Sequence, residues 1–272
     1  MLTASHAARI SGVLGCEATW LSEALPFLQD RGKSNVWHIY GQRVDIRSHL
    51  RGMHPQVCPR CIHHDGYCRK EWDLSITAIC RRHKCSLVDQ CQRCHGRLRW
   101  DRPDLGVCHC GAILQSTTGQ DINPGVLMIL SAVEVLMMGE PYAPVTWLSV
   151  GLPAIASDLS LNGLMALVHA FGVNDAAHQA GRTQQFTRVA RTHEWVGILE
   201  RGSERLRRFE AANRSQLQEL AELVSQSLLV RLAKAGSRGA DAQVGLHVLE
   251  QLFGKTEARR LHSNHIQMEL FE

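Results

Sequence analysis

Downstream of residue 120, apolar residues recur at three- and four-residue spacing, which predicts a run of helices. Asn123 followed by Pro124 reads as a cap and first-turn proline, opening a helix on VLMILSAVEVLMM that Gly139 closes. Residues 140–153, with Pro141, Pro144, Gly151 and Pro153, read as a loop. Ser160 then caps LNGLMALVHAFG, whose Leu161, Leu164, Leu167, Val168 and Phe171 share one face before Gly172 ends it. A helix over about 193–210 turns Trp195, Ile198, Leu199, Leu206 and Phe209 inward. Another, over about 214–234, does the same with Leu217, Leu220, Val224, Leu228 and Leu232. AGSRGAD (235–241) breaks the pattern before a last helix at 242–253.

The first 25 residues predict two short helices. Thr3 or Ser5 caps the first, with Ala7, Ile10 and Leu14 on its apolar side and Gly15 at its end. The second runs from Glu17 to Leu25, with Trp20 and Leu21 inward, and stops at Pro26. Its Glu17 and Glu23, with no Lys or Arg, suit packing better than an approach to phosphate. Residues 26–57 read as irregular and increasingly basic, and strand signals outside the Cys-rich stretch are scarce. The expected fold is mainly α, with a small zinc-ribbon or knuckle-like module and a C-terminal domain of helix-turn-helix-like pairs. The expected divisions are a helical segment over 1–54, a double zinc-finger module over 55–115 and a helical domain over 116–272.

Composition changes this picture at one place. Nine of the ten cysteines lie between Cys58 and Gly111, with five histidines among them. The opening TASHAARISG has no basic flank leading into a long apolar run, so no signal peptide is expected. VLMILSAVEVLMM, broken by Ser131 and Glu134, is too short for a membrane span. The expected location is the cytoplasm. Reducing conditions there favour metal ligation over disulfides.

Zn²⁺ takes four tetrahedral N or S ligands, and two ligands on one tight turn grip it together. Four such pairs are present: Cys58 with Cys61, Cys80 with His83, Cys91 with Cys94, and Cys108 with Cys110. Paired in sequence, they predict one zinc on Cys58, Cys61, Cys80 and His83, and a second on Cys91, Cys94, Cys108 and Cys110. Each set is closed and leaves no position for water, which points to a structural metal. Cys68 and Cys85 are left over, and Cys85 competes with His83 for a ligand place. His63, His64, His95 and His109 are further competitors, read as surface or packing residues, and Cys16 as a small core residue. An interleaved, RING-type cross-brace is the rival arrangement. Seven residues between His83 and Cys91 speak against it.

The run CPRC at Cys58, Tyr67, Arg69 and Trp72, then Cys80-x-x-His83 with Leu87, Cys91-x-x-Cys94 with Gly96, and Cys108-x-Cys110-Gly111 resembles the TniQ/TnsD family. The resemblance is close over 55–115 and looser over LNGLMALVHAFG and EWVGILERGSERLRRF, where Phe171-Gly172 and Gly202-Ser203 replace the family's Leu-Gly and Trp-Pro. It implies a target-selection protein of a transposon whose transposase and ATPase regulator are separate. Such a protein binds target DNA, or rides on an RNA-guided DNA-binding complex, and recruits the AAA+ ATPase. It also admits a homodimer. The family's Glu-Ser-Leu-type opening is not found before Ala8-Arg9-Ile10, which points to a shortened N-terminus and leaves recruitment of the ATPase as the function most affected.

Charge bears on the nucleic-acid reading. The formal charge of +4 is small, but thirteen Lys/Arg face seven Asp/Glu between Arg43 and Asp104. Two zincs on seven thiolates reduce that excess to about +3. Arg81, Arg82 and Lys84 in the ligand turn, and Arg97 and Arg99 beside Trp100, are the candidate phosphate contacts. Arg201, Arg205, Arg207 and Arg208 alternate with Glu200, Glu204 and Glu210, which favours pairing within the helix. No P-loop, His-Glu-x-x-His or nucleophile elbow is present, Asp158 and Asp175 form no recognisable constellation, and an enzyme is not expected. Two other classes remain beside the adaptor: a zinc-containing helix-turn-helix transcriptional regulator and a RING-like ligase.

Overall fold

A computed structural model describes residues 2–17, 19–21, 27–30, 35–116, 121–138, 154–156, 158–174, 190–234 and 239–268. Two compact units emerge: residues 1–122, 133–141 and 186–196 form one, and residues 123–132, 142–185 and 197–272 the other. The expected loop at 140–153, the closing Gly139, Asp175 and most of the expected break at 235–241 lie outside the described residues.

The first unit departs from the sequence reading at its start. Strand β1 (Leu2–Thr3) precedes helix α1 (Ala4–Leu14), and β2 (Phe27–Asp30), β3 (Asn35–Ile39) and β4 (Gln42–Val44) follow. The four strands make one sheet in sequence order, β1 parallel to β2 and the rest antiparallel. The stretch expected to be irregular therefore holds a hairpin. Its two-residue turn, Tyr40-Gly41, has φ of 51° and 75°, the left-handed pair that matches strand twist. Residues 19–21 are the described helical part of the expected second helix. Leu21 is buried there, but Trp20 is exposed, as are Val13 and Leu14 on α1, so the predicted apolar side of α1 is only partly covered.

The Cys-rich stretch follows with helix α2 (Pro59–Asp65) and a minimal hairpin, β5 (Ile79–Cys80) with β6 (Cys85–Ser86). Its core is half thiol: Cys58, Cys61, Cys80, Cys85, Cys91 and Cys108 are buried with Val57, Trp72, Leu87, Val88, Leu98 and Leu114.

The other helices match the periodicity more closely. Asn123 Oδ1 accepts from the Gly125 N–H at 2.8 Å and opens α3 (Pro124–Met138). Ser160 Oγ accepts from the Gly163 N–H at 3.1 Å and caps α4 (Leu161–Gly172), all twelve residues of which are buried. Helix α5 (Thr192–Glu210) buries the five apolar residues expected of it. Within the second unit, α4 and α5 touch backbone to backbone. A Cβ at Gly172 would stand 2.0 Å from the Ile198 carbonyl oxygen, and one at Gly202 2.8 Å from that of Val168. Buried Arg205 donates to the carbonyls of Phe171, Asn174 and Leu223, satisfying helix ends that have no partner of their own. Arg207 and Glu204 pair within the helix as expected, at 2.7 Å.

The helix expected over 214–234 is two helices, α6 (Arg214–Leu223) and α7 (Gln226–Lys234). Val224 is extended, and the Ser225 N–H donates to the Ala170 carbonyl at 2.8 Å, a tertiary bond that no local periodicity announces. Helices α8 (Ala240–Phe253) and α9 (Lys255–Met268) complete the unit, separated by Gly254 at φ 84°. The second of these has no counterpart among the expected helices, since KTEARRLHSNHIQM carries few apolar residues. Gly245 lets α8 approach the backbone of α7, where a Cβ would meet the Ala233 nitrogen at 2.5 Å.

His169 in α4 is buried, and burial lowers its pKa from 6.5 to about 4. The unfolded chain therefore binds the proton first as pH falls. The resulting stability is fully present above pH 6.5 and is lost between there and pH 4, a loss of about 3 kcal/mol. Urea unfolding across that range is expected to show this slope, and the His169→Leu protein to show it reduced by that amount. Equal slopes in the two proteins would refute it.

Candidate metal centres

The first cluster is assembled from α2 and the β5–β6 hairpin. Cys58 is the residue before Pro59, whose fixed φ opens α2, and Cys61 lies in the first turn of that helix. Gly66, at φ 74°, closes the helix after seven residues. Cys80 ends β5, and the connection from Arg81 to Lys84 presents His83, with Lys84 in the left-handed region at φ 46°. Cys61 Sγ lies 3.7 Å from Cys80 Sγ. His83 Nδ1 lies 3.4, 3.3 and 3.6 Å from the sulfurs of Cys58, Cys61 and Cys80.

The second cluster is built from two turns without regular structure. The Cys91 N–H donates to the Gly96 carbonyl at 2.9 Å, while the Arg93 N–H points at Cys91 Sγ at 3.4 Å. His95, at φ 57°, and Gly111, at φ 78°, reverse the chain after each pair. The sulfur distances are 3.7 Å for Cys91 to Cys110 and 3.7 Å for Cys94 to Cys108.

Each set offers four donor atoms within 4.8 Å of one another, so each can hold a metal ion. The finer geometry also fits. A tetrahedron with metal–sulfur bonds of about 2.3 Å has edges of about 3.8 Å, and a sulfur–nitrogen edge of about 3.5 Å. Those lengths are the ones the two clusters display.

Electrostatics also favours a cation in each cluster. Without one the thiols cannot ionise together. In the first cluster, hydrogen bonds from Cys80 and Cys85 push the Cys58 thiol well down, and the same contacts push Cys80 well up. In the second, burial opposes ionisation of Cys91, but the N–H groups of Cys94 and Arg93 outweigh it and lower its pKa to about 6. Burial, aided by Cys91, raises Cys108 to about 12. A divalent cation relieves this competition in both places.

The groupings are sequential, so the interleaved cross-brace is not what the fold brings together. Cys68, His63, His95 and His109 stand outside both groups, and His64 stacks on His83 at 5.9 Å with 14° between the rings. Cys16 is half-buried, which corrects its reading as a core residue. Cys85 differs from the other bystanders. It is buried, and its sulfur lies 3.8 Å from that of Cys58. Its signal in the sequence is the two-residue offset from His83.

Four of the five candidate phosphate contacts are engaged with acids. Arg82 meets Asp65 at 2.9 Å, Arg99 meets Asp101 at 2.8 Å, Arg97 lies 3.8 Å from Asp89, and Arg81 pairs with Glu134. Arg82 and Arg99 keep 54% and 57% of their side chains exposed, and Lys84, on the same turn as Arg82, is exposed as well. Trp100 is fixed by a 2.8 Å bond from its indole nitrogen to the Gly52 carbonyl, with the Arg102 guanidinium 5.6 Å over its ring.

Among the described residues, no helix is long and apolar enough to cross a membrane. No curated protein matches the chain. The model of the TniQ family does match, from residue 2 to residue 87. The matched segment takes in the N-terminal sheet, α1 and the whole first cluster, including the opening that departs from the expected pattern; the second cluster and the helices beyond it lie outside. Residues 2–87 thus match the model of the TniQ family, the family that the sequence resembles.

Proposed function

We propose that the protein is a transposon target-selection adaptor. In this reading it engages target DNA, or a DNA-bound RNA-guided complex, and recruits the AAA+ regulator of transposition without catalysing a reaction itself. The observation that carries the reading is the TniQ match over 2–87, which ends just past the first cluster. Zinc is the metal for both clusters: three thiolates with one imidazole, and four thiolates, are its common structural ligand sets. Cys58, Cys61, Cys80 and His83 hold one ion, and Cys91, Cys94, Cys108 and Cys110 the other. Working on DNA places the protein on the nucleoid.

Arg82, Lys84 and Arg99 are the best placed for phosphate. Exposed ion pairs with Asp65 and Asp101 contribute little and exchange readily for a backbone phosphate. Arg81 and Arg97, more enclosed, act chiefly on the local fold. Three phosphate contacts give a salt slope of about −2.7, so raising salt from 50 to 200 mM is expected to weaken DNA binding about 40-fold. The Arg82→Ala/Lys84→Ala/Arg99→Ala protein is expected to lose most of that dependence. Fluorescence anisotropy with duplex DNA measures both, and affinity unchanged by salt would sink the phosphate role.

A second reading, a zinc-containing helix-turn-helix regulator of transcription, is favoured by α6 and α7 being joined through only two residues. Binding confined to one promoter, without any effect on the ATPase, would choose it over the adaptor.

A further inference from the structure

The first cluster has one donor more than a tetrahedron needs. Cys58, Cys61, Cys80 and His83 fill four places, yet Cys85 stands directly across the hairpin from Cys80 as its register partner. Its sulfur, 3.8 Å from that of Cys58, is already one tetrahedral edge away from an established corner. The two competitors are not equivalent. His83 sits half-buried on the four-residue connection between the strands, whereas Cys85 is fully buried within the strand pair. The donor on the more exposed and less constrained segment is the one that detaches most readily.

We propose that Cys85 is a reserve ligand of the first metal site, taking the fourth position as a thiolate whenever His83 leaves. This rests on the reading that the first cluster holds a divalent metal. The exchange converts a three-sulfur, one-nitrogen site to a four-sulfur site. Cys85 gives its proton to solvent as its sulfur–metal bond forms and the nitrogen–metal bond breaks, with no change of oxidation state. The metal stays in place while the connection carrying Arg82, His83 and Lys84 is released from it. That connection is the part of the module that carries two of the three exposed basic residues assigned to phosphate, so the exchange would let it adjust to a partner without unfolding the site.

The test uses the full chain loaded with Co²⁺, whose visible bands move to longer wavelength as thiolate replaces nitrogen and whose near-ultraviolet charge-transfer absorption grows with each thiolate. Wild-type protein and Cys85→Ser are expected to bind two ions per chain with the same spectrum. His83→Ala is expected to keep two ions, with the visible bands shifted and one more thiolate's worth of charge-transfer absorption. His83→Ala/Cys85→Ser is expected to keep one. A His83→Ala protein holding one ion, or two with the thiolate absorption unchanged, would overturn the proposal. Should His83→Ala not fold, the rate of zinc transfer to a chelator decides: Cys85→Ala is expected to release the first zinc on the order of tenfold faster than wild type, and an equal rate would overturn the proposal. Wild-type protein with fewer than two ions would instead refute the metal assignment itself, whatever Cys85 does.

Discussion

Stripping metal from the protein is expected to unfold residues 55–115 while leaving most of the helical signal in place. The cause is the make-up of the module's core. Six of its twelve buried members are cysteines, and five of those belong to the two ligand sets, which His83, Cys94 and Cys110 complete. Val57, Trp72, Leu87, Val88, Leu98 and Leu114, even with Leu74, Ile76, Ala78 and Ile79, bury too little apolar surface to offset the entropy of ordering some sixty residues. Regular structure adds little, since β5 and β6 are two residues each and α2 is seven. A structural zinc supplies an apparent stabilisation of about 10–16 kcal/mol, comparable to the whole stability of an ordinary domain. Hydrogen exchange before and after treatment with a strong chelator measures the effect: amides such as those of Val57, Leu87 and Leu98 should lose protection, and those of α4 should keep it. Cys91→Ser should lose one zinc by elemental analysis, whereas Cys68→Ser should retain both. Unchanged exchange after complete metal removal would show that the module folds on its apolar core.

What is legible in the sequence is whatever depends on neighbours along the chain. The ligand pairs are separated by one or two residues, the caps at Asn123 and Ser160 act over two and three residues, and the apolar stripe of α5 is a pattern within one helix. Features set by distant partners escape. The break between α6 and α7 falls in an unbroken apolar stripe, because a bond from Ser225 to Ala170 decides it. The hairpin at 35–44 escapes although Tyr40-Gly41 is a turn signal, because its strands are short and mixed in polarity. The basic turn reads in the sequence as presenting its cations to a ligand, yet Asp65 and Glu134, contributed by other elements, already neutralise Arg82 and Arg81. The offset of Cys85 from His83 is visible in the sequence, but its place as the cross-strand partner of Cys80, with its sulfur 3.8 Å from that of Cys58, is set by the folded hairpin.

Arg51 is the clearest case of a residue whose role charge counting misassigns, and its removal is the other change expected to be severe. Its side chain is 0% exposed, so it contributes nothing to a basic surface. One guanidinium nitrogen donates to Asp89 at 2.6 Å and to Thr192 Oγ1 at 3.2 Å, and the other donates to the Ala190 carbonyl at 2.6 Å. Asp89 in turn accepts from the Thr192 N–H at 3.0 Å, at the N-terminus of α5, where a carboxylate also complements the helix dipole. Thr192 Oγ1 is 2.9 Å from Gln56 Oε1, and Gln56 Nε2 donates to the carbonyls of Trp72, Leu74 and Thr77. Burial pulls the guanidinium's pKa below its usual value, and Asp89 is the main counterweight. Asp89→Ala therefore removes the one carboxylate hydrogen-bonded to this buried cation, and is expected to cost about 3–5 kcal/mol. Arg51→Met should cost somewhat less, because Asp89 keeps the Thr192 N–H and has Arg97 at 3.8 Å. The double replacement Arg51→Met/Asp89→Leu should be less harmful than the sum of the single changes, since neither charge is then stranded. Urea unfolding of the metal-loaded proteins, followed by tryptophan fluorescence, provides the double-mutant cycle. Trp195, buried with its ring edge-on to His49 at 5.6 Å, lies within three residues of Thr192 and reports on this network. Strictly additive losses would mean that the pair is held by packing, with no electrostatic coupling between the two side chains.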